Sequence, residues 1–144
     1  YRSKESVQKL KSAGFMVIVI TNQPDVGKKL ISKKLLNKMH KILKKKTNVK
    51  KIYTCMHTAD QYCDCRKPKP GMIILAAKKY KINLKKSYMI GDRWKDIEAG
   101  RLAGCKTILI KSNYAEEIKS KPDFEVDSLF GAAILIKKLN NEKK

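Results

Sequence analysis

The sequence predicts an α/β fold, a Rossmann-like parallel sheet flanked by helices, and three observations predict it. Apolar runs such as Phe15-Met16-Val17-Ile18-Val19-Ile20 are continuous rather than alternating, as strands buried on both faces read. Helical patterns separate these runs, and strands alternating with helices favour crossover-connected parallel sheets. Polar residues gather where the runs end, the place where ligands bind in such sheets. The 144 residues suffice for one domain, 1–144, with no repeat or linker.

The elements follow in order. Residues 3–13 have helical spacing, with Val7 and Leu10 apolar and Gly14 as the stop. Residues 15–20 are the first strand, and TNQPDVGKK after it is a loop. Ser32 caps an amphipathic helix over 32–46, whose apolar face is Leu35, Leu36, Met39, Ile42 and Leu43. Residues 51–54 are a short strand and 71–80 a helix. Residues 87–92 form a strand ending in a Gly-Asp turn, and 94–103 a helix. A strand over 105–110 and a helix over 127–139 complete the pattern, with Cys105 a small core residue of that strand.

Composition bounds the partners. The formal net charge is +21, yet only four of the 34 basic residues are arginine: Arg2, Arg66, Arg93 and Arg101. Dedicated nucleic-acid surfaces use arginine forks and stacking aromatics. Lysines here recur along helices with few aromatics between them, which reads as a solvated surface with loose attraction to polyanions. No specific nucleic-acid partner is expected. No apolar run approaches the roughly 20 residues of a membrane span. No signal peptide is visible, so a reduced, cytoplasmic setting for the thiols is expected.

Residues 55–72, CMHTADQYCDCRKPKPGM, carry most of the functional information. Cys55, His57, Cys63 and Cys65 are the ligand types that tetrahedral Zn²⁺ prefers, and their spacing lets one loop wrap one ion. Unligated thiols or a disulfide are the alternatives. Arg66 and Lys67 follow at once, and Pro68 and Pro70 stiffen the chain behind them. A rigid loop presenting two cations suits phosphate. Thr21-Asn22-Gln23 at one strand end, Lys67 after another, and Gly91-Asp92 at a third together suggest a phosphate and Mg²⁺ site. Asp92 and Asp96, one helical turn apart, can serve one hard cation. They can equally be a helix N-cap and a first-turn acid.

On these residues the chain resembles the haloacid dehalogenase superfamily. The quoted motifs are TNQ after an apolar strand, CxH…CxCRKPxPGM, and IGDRxxDIxAGxxAGC. More narrowly it resembles its zinc-containing phosphatases of D-glycero-D-manno-heptose 1,7-bisphosphate or histidinol phosphate. The likeness runs from about residue 5 to residue 112. It implies that the Thr21 hydroxyl binds the transferring phosphoryl group, with Asn22 and Gln23 lining the pocket. Lys67 neutralises nucleophile and phosphate, and Arg66 contacts substrate phosphate. Asp92 ligates a catalytic Mg²⁺ with Asp96 in support, and the Cys55, His57, Cys63, Cys65 zinc is structural. A small phosphorylated substrate and a monomeric protein are expected.

The chain departs from the pattern in two places. The family's nucleophile is an aspartate in a DxD motif on a first strand, and no Asp-x-Asp precedes residue 3 or stands anywhere else. The chain therefore reads as lacking that strand. Its absence should expose apolar edge in the middle of the sheet and remove the attacking group. After TNQ the family often has Arg-Gly, where this chain has VGKKLIS. The expected activity is hydrolysis of a sugar phosphate, first heptose 1,7-bisphosphate, through an aspartyl-phosphate. Histidinol phosphate is the alternative substrate. A non-catalytic zinc-stabilised remnant or polyanion-binding module is the alternative of another class.

Overall fold

A computed structural model of the chain describes residues 2–113, 116–117 and 119–143. Helix α1 (Ser3–Ser12) buries Ser6, Val7 and Leu10 and ends at Gly14, whose φ of 91° suits a residue without Cβ. Strand β1 (Ile18–Asn22) starts three residues later than its apolar run and takes in Thr21 and Asn22. The earlier residues of the run serve the helix exit. Phe15 N–H donates to Leu10 C=O at 3.0 Å, and Phe15 and Val17 pack on the core. The stretch expected as loop contains a single helical turn, α2 (Pro24–Gly27), with Pro24 in its first turn.

Helix α3 (Lys33–Thr47) is capped as expected, Ser32 Oγ accepting from Leu35 N–H at 3.1 Å. Its apolar face is only partly covered. Leu36 is buried, but Leu35, Met39 and Ile42 are exposed, because α3 packs chiefly on α1 rather than flat against the sheet. Strand β2 (Lys51–Cys55) runs one residue further than its motif and ends on a metal-ligand candidate. Helix α4 (Gly71–Tyr80), strand β3 (Tyr88–Gly91) and helix α5 (Trp94–Ala103) follow. Strand β4 (Lys106–Ile110) begins just after Cys105, and helix α6 (Leu129–Glu142) is capped by Ser128.

Strand β5 (Phe124–Val126) was not expected: three residues are too few to show a pattern. A side chain anchors it. The Asp123 carboxylate accepts from Thr107 N–H at 2.8 Å, and Asp123 N–H donates back to Thr107 Oγ1 at 3.0 Å.

The strands form two parallel sheets, β1–β2 and β3–β4–β5. Register sets the two strand ends of the first sheet level, with Asn22 opposite Cys55. In the second, Ile108 of β4 faces Phe124 of β5. A core of Leu10, Ile108, Ala132, Ala133 and Ile136 joins α1, β4 and α6. Only β4 has the deep burial expected of the strands, with Thr107, Ile108 and Leu109 inside. Strands β1 and β3 are half-buried, because one edge of each faces a slot of about 540 Å³ rather than a neighbouring strand.

Away from the slot, Glu98 ties α5 to the approach to β5. Its carboxylate receives Arg101 at 2.5 Å and the buried Ser120 hydroxyl. The Arg101 guanidinium, then Ser120, hold its pKa down to about 2 from an ordinary 4.5. A depressed carboxylate stabilises the fold above its unfolded pKa and loses that contribution as pH falls through the folded one. Urea melts of Glu98→Gln and the parent should therefore differ most above pH 4.5 and converge toward pH 2. A constant difference across that window would refute the linkage.

Candidate active site and metal centre

The loop after β2 brings its four expected ligands together. One donor atom from each of Cys55, His57, Cys63 and Cys65 lies within 4.8 Å of every other. Cys55 Sγ stands 3.9 Å from Cys63 Sγ and 3.4 Å from His57 Nδ1, and His57 Nδ1 is 3.3 Å from Cys65 Sγ. Two sulfurs at about 2.3 Å from one tetrahedral zinc stand roughly 3.8 Å apart, and a sulfur and an imidazole nitrogen slightly closer. The donor set and its spacing fit one zinc ion. All four cysteines are free, so the disulfide alternative is not what this geometry shows.

Local packing explains why the loop closes. Gly71 N–H donates to Asp64 C=O at 3.1 Å, and any Cβ at Gly71 would strike that carbonyl. Lys69 Nζ donates to Cys63 C=O at 2.6 Å. Gly27 of α2 lies as closely on the Met56 carbonyl, so α2 braces the loop from the other side. Crowding thiols has an electrostatic cost. Burial, with the neighbouring Cys55 and Cys63 thiols, pushes Cys65 up to about 12. Burial works the same way on Cys63, but backbone hydrogen bonds from Arg66 and Cys65 outweigh it and hold that thiol below its ordinary value. A divalent cation is the natural relief for such a cluster.

Immediately behind the loop, Lys67 is fixed at both ends. The Asn22 side chain grips its main chain, Oδ1 accepting from Lys67 N–H at 3.0 Å and Nδ2 donating to Lys67 C=O at 3.3 Å. The ammonium group donates to Asp96 Oδ1 at 2.5 Å and to Ile20 C=O at 3.4 Å. Lys67 and Asp96 side chains are only 13% and 9% exposed. Such a pair is strongly directional in its low-dielectric setting. The structure thus assigns Asn22 to positioning Lys67, a role the motif alone did not reveal.

Asp96 has a second task. Its Oδ2 accepts from Arg93 N–H at 3.2 Å, so it closes the first turn of α5. The alternative reading of this acid as a first-turn group is therefore correct as far as it goes, and the Lys67 pair is added to it. Arg93, not Asp92, occupies the N-cap position. Asp92 lines the slot, is exposed, and makes no side-chain hydrogen bond or ion pair among the described residues. Its carboxylate is available to a cation. Gly91 is required beside it, since a Cβ there would run into the Asp96 carboxyl.

Thr21 also lines the slot. Gln23 Nε2 donates to Thr21 Oγ1 at 3.2 Å, while Thr21 donates only weakly, at 3.4 Å, to Asn22 C=O. Its proton is easily redirected to a ligand oxygen. Arg66 does not line the slot. Its guanidinium donates to His57 C=O at 3.2 Å, across the cysteine loop. Sequence reasoning missed Glu116, whose carboxylate accepts from Trp94 N–H at 2.9 Å and Arg93 Nε at 2.6 Å. The Trp94 amide, with Arg93, holds its pKa below the usual carboxylate value. It reaches the start of α5 from 22 residues away, and no local signal announces it.

The family described as HAD-hyrolase-like matches residues 64–132. The D-glycero-beta-D-manno-heptose-1,7-bisphosphate 7-phosphatase of Pseudomonas aeruginosa is 34% identical over 125 residues, covering 83% of this chain and 70% of the relative. The enzyme of the same name from Pasteurella multocida is 31% identical, covering 96% of this chain and 83% of the relative. Among solved structures, the D,D-heptose 1.7-bisphosphate phosphatase from B. bronchiseptica, complexed with magnesium and phosphate, superposes with a TM-score of 0.81 at 24% identity. That match covers 94% of this chain and 81% of the other, and it shows the shared fold. The chain belongs to the heptose-1,7-bisphosphate 7-phosphatase family of haloacid-dehalogenase-like phosphomonoester hydrolases.

Proposed function

We propose that the site hydrolyses the 7-phosphate of D-glycero-D-manno-heptose 1,7-bisphosphate in the cytoplasm. The observation that carries this reading is the convergence of Thr21, Lys67 and Asp92 on one slot mouth, with Asp96 holding the lysine. The substrate follows from the relatives named for it. The Thr21 hydroxyl donates to a phosphoryl oxygen, oriented by Gln23. Lys67, already desolvated and aimed, offsets charge as the phosphoryl group transfers, so no reorganisation is needed at that moment. Arg66 is half-buried and, among the described residues, its side chain bonds only to the His57 carbonyl. It is free to swing onto a substrate phosphate.

Asp92 would hold a Mg²⁺ ion directly. Asp96, with both oxygens engaged, would support it from behind. Magnesium supplies charge neutralisation at the phosphoryl oxygens when bound. Cys55, His57, Cys63 and Cys65 would hold zinc as a structural clamp that fixes Arg66 and Lys67. The reaction also needs a nucleophile, and the other aspartates of the region do not provide one. Asp64 lies in the cysteine loop and Asp25 in α2. We assign attack to an aspartate outside these 144 residues, forming an aspartyl-phosphate that water then cleaves.

Elemental analysis should find about one zinc per chain in protein purified without added metal. Chelation should loosen residues 55–67, seen as faster amide exchange there. Near-zero zinc with thiols that alkylate at once would contradict the clamp.

Phosphate release from the heptose bisphosphate tests the activity. The 144 residues alone should be inactive, and protein completed with a strand bearing the nucleophile should turn over with Mg²⁺. In the completed, fully zinc-loaded protein, Lys67→Ala should lower kcat by roughly a hundredfold or more. Arg66→Ala should chiefly raise KM. An unchanged kcat in metallated Lys67→Ala would remove the lysine from catalysis.

A further inference from the structure

We infer that helix α3 is a docking surface for an anionic lipid membrane, lying in the plane of the headgroups with one aliphatic stripe inserted. The stripe is Leu35, Met39 and Ile42, whose spacing of four and three residues sets them on one line of the helix. These side chains are 45%, 45% and 55% exposed, whereas Leu36 on the packed side is buried. Leu30, just ahead of the Ser32 cap, is 69% exposed as well. The helix is therefore anchored along one side and apolar along the next. From sequence alone its lysines read as a solvated surface, and the uncovered stripe beside them is what the fold adds.

Charge decides the partner. Lys34, Lys38 and Lys41 repeat the spacing of the stripe one residue earlier, and Lys45 continues their row. All four are exposed, and among the described residues none makes an ion pair. From Val26 to Ala59 no residue is acidic, and eleven are lysine. Two copies of such a face would bring like charges together, so a second copy does not cover it. Nucleic acid shares the charge preference but not the rest. Helix α3 has no arginine to fork onto phosphate and no aromatic on which to stack a base.

Lipid satisfies both features. Aliphatic side chains suit the acyl boundary, and lysine stems let the ammonium groups stay at the headgroup phosphates while the stripe goes deeper. The 15 residues of α3 make a contact about 22 Å long. Among the described residues no helix is long and apolar enough to cross a membrane, so the contact lies on the surface. Membrane docking of α3 is independent of the phosphatase reading above.

The 144-residue protein is mixed at physiological salt with vesicles of phosphatidylcholine, alone or with about 30% phosphatidylglycerol, and binding is read by flotation. The expected result is binding to the anionic vesicles and none to the neutral ones. Exchanging Lys34, Lys38, Lys41 and Lys45 for Gln should weaken it by roughly a hundredfold or more. Leu35→Gln with Ile42→Gln should weaken it by about tenfold or more, while Leu35→Met with Ile42→Leu should bind as the parent does. The emission that Met39→Trp adds to the parent's should be quenched by brominated acyl chains.

Absence of vesicle binding would overturn the proposal. So would binding that survives Leu35→Gln with Ile42→Gln, which would point to loose attraction or to the apolar slot instead. Tighter binding to single-stranded RNA than to vesicles, lost with the same lysines, would overturn it in favour of nucleic acid. Self-association abolished by Leu35→Gln with Ile42→Gln would overturn it in favour of a second copy. Should the Gln variants unfold, the Met39→Trp signal decides, and no quenching overturns the proposal.

Discussion

The Lys67–Asp96 ion pair is the contact on which the site depends. It links the cysteine loop after β2 to the first turn of α5 after β3, and so joins the two sheets across the slot. The pair is mostly buried, and removing one partner of a buried pair typically costs about 3–5 kcal/mol, because the survivor is left charged without a counterion. The same carboxyl group caps α5 through Arg93 N–H, which needs the bare Gly91 backbone beside it. One aspartate thus sets the angle of a helix, the position of a cation and the distance between two strand ends. Asp92 remains as the carboxylate without a protein partner among the described residues, in the position where a cation can use it.

The cysteine loop makes this placement rigid. Its four donors close on one point, and the chain leaves that point directly into Arg66 and Lys67. Asn22 then fixes the Lys67 main chain from the neighbouring strand, made possible by the register that sets Asn22 level with Cys55. The cysteine loop, the strand register and an amide clamp all act on the same lysine. Ordering a flexible lysine costs side-chain entropy unless the scaffold has already done it. Here the scaffold has.

Much of this was legible in the sequence, for physical reasons. Ligand types at loop-closing spacing are a strong local signal, and Cys55, His57, Cys63 and Cys65 do meet. Capping residues mark boundaries, as Ser32 and Gly14 did. Non-local contacts were not legible. The motif suggested pocket contact for Asn22, whereas its partner lies 45 residues away. Glu116 caps α5 across 22 residues, and β5 is too short to show a period. Met39 and Ile42 have the spacing of core residues yet stay exposed, because periodicity reports a face and not what covers it. The motifs placed Asp92 on a cation with Asp96 in support; what they did not show is that both oxygens of Asp96 are engaged, by Lys67 and by Arg93 N–H.

Phosphorus-31 NMR of D-glycero-D-manno-heptose 1,7-bisphosphate tests the central claim most directly. The sample is the zinc-loaded protein with Mg²⁺ and a strand bearing the nucleophile in the slot. A cradle organised by Lys67 for one phosphoryl group predicts loss of the C7 monoester resonance, growth of inorganic phosphate, and a C1 resonance that persists. Persistence of both ester signals, or their loss at equal rates, would contradict it.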